Sequence, residues 1–71
     1  MNFEQRKSQR LQGMVNDARR VIRYRLGGEK PAARELESLM RARYFATGDE
    51  VRAIIQDVAV SDGVIQQGES L

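Results

Sequence analysis

The chain is 71 residues long, carries a net charge of +2 from twelve basic and ten acidic side chains, and contains neither histidine nor cysteine. That excludes disulfides and thiolate metal sites, and it removes the commonest general base and metal ligand. No apolar run approaches the roughly 20 residues of a membrane span, and the first residues lack the oily core of a secretory signal. A soluble, cytoplasmic protein is therefore expected, folding as a single small domain over residues 1–71. A chain this short buries only about 60% of its unfolded surface, so self-association into a homodimer is a natural way to gain burial.

The charge is unevenly distributed. Residues 1–30 hold eight basic and three acidic side chains, whereas residues 31–71 hold four and seven. Either the two halves pair within the fold or the basic half is displayed to a partner.

Asn2 followed by Gln5 reads as an N-cap with its reciprocal partner and opens a helix over residues 3–26. Leu11, Met14, Val15, Ala18, Val21, Ile22 and Leu26 recur at spacings of three and four and form its apolar stripe, with Phe3 at the rim. Arg6, Arg10, Arg20 and Tyr24 fall on the opposite side with Asp17, and Arg19 and Arg23 make an adjacent row. Lys7 and Arg25 lie near the apolar edge, where long stems can cover oily surface. Gly13 costs about 1 kcal/mol relative to alanine, a weak point at which the helix can break or bend. Gly27 and Gly28 end it, because glycine adopts the left-handed conformation of a C-terminal cap.

Pro31 suits the first turn of a second helix, over residues 31–45. Its apolar face is Ala33, Leu36, Leu39, Met40 and either Tyr44 or Phe45. Thr47-Gly48-Asp49-Glu50 is a capping box that opens a third helix over residues 48–59, with the stripe Val51, Ile54, Ile55 and Val58. Residues 60–65 read either as a tight Asp62-Gly63 hairpin or as a short fourth helix capped by Ser61. Residues 66–71 are expected to fray. The fold expected is all-α, a small three-helix bundle.

No arrangement of side chains points to catalysis. The serines and Thr47 have no imidazole to activate them. Asp49 and Glu50 suit the first turn of a helix through its dipole, and Glu35 and Glu37 leave their helix on different sides. Gly27-Gly28-Glu29-Lys30 is too short for a phosphate-binding P-loop and follows no strand. No enzymatic activity and no cofactor are expected.

The arginine-rich side of the first helix is the candidate binding surface. A guanidinium pairs its N–H groups with phosphate or carboxylate where an ammonium makes a point contact. Arg6, Arg10, Arg19, Arg20 and Arg23 would carry the electrostatics, with Tyr24 as a stacking aromatic. A helix-turn-helix over the second and third helices has a connection of suitable length, but its reading helix would present Asp49 and Glu50 to phosphates. Membrane docking is disfavoured because the apolar face lacks tryptophan and has two helices to pack against.

These features lead to the expectation of a non-enzymatic regulatory binding protein in transcription or nucleic-acid handling. It would dock on nucleic-acid phosphates or on an acidic patch of a larger assembly such as RNA polymerase. The alternative is a protein–protein or assembly module, a homodimer with no nucleic-acid contact. Small, cysteine-free, arginine-rich chains of this kind are similar to accessory regulators of phages and plasmids, a likeness that covers no motif and identifies no family.

Overall fold

The computed structural model describes residues 2–71 and contains three helices: α1 (Phe3–Leu26), α2 (Lys30–Tyr44) and α3 (Gly48–Ser61). The expected all-α three-helix bundle is the observed architecture, with no strand among the described residues. Both sequence-predicted capping boxes form. The Asn2 side chain accepts from the Gln5 amide at 2.8 Å while Gln5 accepts in return from the Asn2 amide. Thr47 and Glu50 make the same exchange at the start of α3.

α1 packs along both shorter helices, which touch each other less. The core is Met14, Ala18, Val21 and Ile22 of α1, Ala33, Leu36 and Met40 of α2, Val51, Ile55, Val58 and Ala59 of α3, and Ala46 from the connection. Half-buried Val15, Tyr24, Tyr44, Ile54 and Ile65 pack against it.

The ends of the expected α1 stripe do not join this core. Leu11 is 54% exposed and Leu26 is 64% exposed. At 1.5 Å rise per residue, α1 runs about 36 Å and α2 about 22 Å, so the shorter helices leave the first turns of α1 uncovered. Every residue from Phe3 to Gln12 is exposed.

Gly13 does not break α1, which is continuous through it. It clears space instead: a Cβ on Gly13 would stand 2.7 Å from the Tyr44 hydroxyl oxygen. Asp17, one turn further on, is expected on the polar side but is buried at 5% exposure. Its Oδ2 accepts from Tyr44 Oη at 2.8 Å and from Arg43 Nη1 at 2.9 Å. A buried carboxylate is tolerable only with such donors, and the end of α2 supplies both. Burial, and then the bond to Asp17, raise the Tyr44 pKa above the usual phenol value.

The alternative between Tyr44 and Phe45 resolves in favour of Tyr44. Phe45 follows α2 in the left-handed region at φ 52°, with its side chain 93% exposed. This sharp reversal lets the Ala46 amide reach the Arg41 carbonyl at 3.1 Å and turns Ala46 into the core. Neither a hairpin nor a fourth helix forms after α3, which extends to Ser61. Gly63, at φ 76°, closes it with a bond from the Val64 amide to the Ala59 carbonyl at 2.9 Å, the Schellman pattern. The segment expected to fray turns back on α3, where the Gln56 side chain donates to the Glu69 carbonyl.

Candidate cationic surface

Folding divides the arginines of α1 into two classes. Arg10 and Arg19 tie α1 to the ends of the other helices. Arg10 donates through Nη2 and Nε to the Tyr44 carbonyl at 2.7 and 3.2 Å. A cation on a terminal carbonyl is favoured by the helix dipole, so Arg10 closes α2, with Glu50 3.9 Å away. Arg19 forms a two-pronged pair with Asp62 beyond the end of α3, Nε to Oδ2 at 2.9 Å and Nη2 to Oδ1 at 3.3 Å. That hydrogen bonding raises the Arg19 pKa and holds the Asp62 carboxyl below its usual range.

Arg6 and Arg23 are exposed and form no ion pair among the described residues, and Arg20 has only a 3.9 Å approach to Asp17 Oδ1. These three are the outward arginines of α1, and exposed Lys7 likewise makes no ion pair among the described residues. They are not gathered into one pocket, since Arg6 and Arg23 stand about 25 Å apart along the helix axis. Arg23 shares a shallow recess of about 200 Å³ with Arg19, Ile22, Leu26, Asp62 and Val64. Tyr24 is half-buried and packs against the core, so its ring is partly occupied within the fold.

The fold also exposes cations outside the set expected on α1. Lys30, Arg34 and Arg41 of α2 are exposed and make no ion pair within the described residues. Their spacing is legible in the chain, but Glu35 and Glu37 beside them mask it when charges are counted along the sequence. In three dimensions Glu37 accepts from Arg25 Nη2 of α1 at 2.7 Å. No group of three or more carboxylates is placed to hold a metal ion among the described residues. Comparison with protein families, curated proteins and solved structures finds no match.

Proposed function

We propose that the protein is a non-enzymatic regulatory binding protein of transcription or nucleic-acid handling that docks by its outward arginines on phosphates. The observation that carries this reading is the set Arg6, Arg20 and Arg23, exposed on one helix with no carboxylate of the described residues closer than the 3.9 Å approach of Asp17. Guanidinium groups left without internal counter-charges create a positive field that draws polyanions. The absence of histidine and cysteine leaves the chain poorly equipped for general-base or thiol chemistry, which fits a binding role.

A salt titration of binding to random-sequence DNA tests the reading. Phosphate contact gives a log K that falls by several units per unit of log salt, and the Arg6→Gln, Arg20→Gln, Arg23→Gln variant should weaken binding while keeping its helicity. No binding of the intact protein at low salt overturns it.

A second reading, assembly of identical copies, is favoured by the exposed apolar side chains Phe3 and Leu11 on the uncovered end of α1. Sedimentation over a range of concentrations tests it. A monomer throughout sinks it.

A further inference from the structure

Between α2 and α3 runs a groove of about 460 Å³ lined by Arg25, Arg34, Ser38, Arg41, Val51 and Arg52, with Glu37 and Gly48 completing its wall. Four arginines and one carboxylate line it. The acids near it are already engaged, Glu37 by Arg25 and Asp49 by Arg52. Arg34 and Arg41 therefore contribute uncompensated charge, and Lys30 extends the same line. Lys30, Arg34, Ser38 and Arg41 follow each other at intervals of four, four and three, which is one face of a helix, about 16 Å long from end to end.

The cations also converge across the groove. Nη1 of Arg52 and Nη1 of Arg41 come within 3.6 and 3.8 Å of the position a Cβ on Gly48 would take. They are thus no more than about 7.4 Å apart, a separation at which like charges repel each other. No carboxylate of the described residues bridges the two: the Arg41 side chain bonds only Ser38 Oγ, at 3.1 Å. Arg52 already has Asp49 as its counter-charge, so Arg41 is the member of the pair left to meet an external anion.

Phe45 caps α2 four residues after Arg41 in the chain, next to the groove's Arg41 end, with 93% of its surface exposed. Its backbone occupies the left-handed region at φ 52°, where glycine or asparagine is the usual residue. An aromatic so exposed costs backbone strain there and gains no burial.

We infer that the α2–α3 groove binds single-stranded nucleic acid, with phosphates on Lys30, Arg34 and Arg41 and a base stacked on Phe45. A row of cations beside an aromatic face is the arrangement by which single strands are held. An extended line of charge fits a polyanionic strand better than one compact anion. The aromatic selects unpaired bases, because the bases of a duplex already stack on each other. The inference rests on the phosphate-binding reading above and adds to the α1 arginines a second surface, on α2 and α3.

The test is fluorescence anisotropy of the full chain with a labelled oligo-dT of about 12 nucleotides, within the usual site size. Arms with a mixed-sequence duplex and with poly-glutamate accompany it, and circular dichroism confirms that each variant is folded. The inference requires the single strand to bind more tightly than either competitor. Phe45→Ala should weaken it about tenfold or more, the worth of one stacked base. Arg34→Gln with Arg41→Gln should lower the salt slope by about 0.7 for each phosphate that is no longer neutralised.

If those variants bind as the parent does while Arg6→Gln, Arg20→Gln, Arg23→Gln loses binding, the groove is overturned and the α1 reading stands. If the parent binds neither nucleic acid, both fall. Poly-glutamate binding as tightly as oligo-dT, with no effect of Phe45→Ala, overturns the groove in favour of an acidic protein partner.

Discussion

The hydroxyl of Tyr44 donates to Oδ2 of Asp17 across 2.8 Å, joining the last residue of α2 to the middle of α1 at a carboxylate that is 5% exposed. The ring reaches Asp17 by passing over Gly13, where the backbone of α1 carries no side chain to block it. Arg43 completes the node from α2 at 2.9 Å. α1 and α2 are thus fixed by a polar contact in addition to their apolar faces.

Gly13→Ala sets two effects against each other. Alanine gains about 1 kcal/mol of helix propensity, but its Cβ would stand 2.7 Å from the Tyr44 oxygen and 3.1 Å from a ring carbon. Displacing the hydroxyl leaves a buried carboxylate short of a donor, at about 1–3 kcal/mol. The expected outcome is a lower melting temperature. In a double-mutant cycle with Tyr44→Phe, the two losses should combine to less than their sum.

Asp17→Ala removes the acceptor of both Tyr44 and Arg43. Breaking a buried charged pair by deleting one partner costs about 3–5 kcal/mol, less where the survivor can reach water. Arg43 is exposed and can do so, so a loss of about 2–3 kcal/mol is expected from urea denaturation at pH 7.

Tyr44 also imposes an alkaline limit. Its pKa is raised in the folded state by burial first and by the bond to Asp17 second. The unfolded chain therefore gives up this proton more readily. The stability it contributes is complete below the ordinary phenol pKa of about 10 and is lost as pH rises through the higher folded value. Thermal melts between about pH 9 and 11 (a window set by that reference value) should show the parent losing stability more steeply than Tyr44→Phe.

Asp62 behaves in the opposite sense. Its pKa is lowered by hydrogen bonding to Arg19, so the pair's contribution is present above the ordinary carboxyl value of about 4 and disappears as pH falls through the depressed one. Asp62→Asn should melt below the parent at pH 7 and together with it in strong acid. A difference that persists there would mean that the substitution perturbs packing and not charge.

Phe45→Gly should stabilise the protein. The left-handed conformation costs a bulky L-residue roughly 1–2 kcal/mol, and glycine avoids that penalty. Little packing is lost from a side chain that is 93% exposed. A rise of several degrees in melting temperature is expected for a domain of this size, accompanied by weaker single-strand binding if the residue serves the groove.

Helix positions are largely legible in the chain because their signals are local. Asn2–Gln5, Thr47–Glu50, Pro31 and Gly28 act within one turn of where they stand, and each marks a boundary that is observed within a residue or two. The inner stripe from Met14 to Ile22 is legible for the same reason. Leu11 and Leu26 depart from expectation because periodicity shows which face is apolar but not how far a partner extends along it. Asp17 departs from it because its donors, Arg43 and Tyr44, are 26 and 27 residues away in sequence.

The candidate surface divides along the same line. The surplus of cations in residues 1–30 and the lack of histidine and cysteine are fixed by residue type alone. Which cations remain outward is decided only by the packed structure. It binds Arg10 to a helix end, Arg19 to Asp62 and Glu37 to Arg25, leaving Arg6 and Arg23 of α1 and Lys30, Arg34 and Arg41 of α2 exposed with no ion pair among the described residues. The reason is physical: a side chain's charge is set by its own chemistry, whereas its neutralisation depends on distance, and distances between helices exist only once the chain has folded.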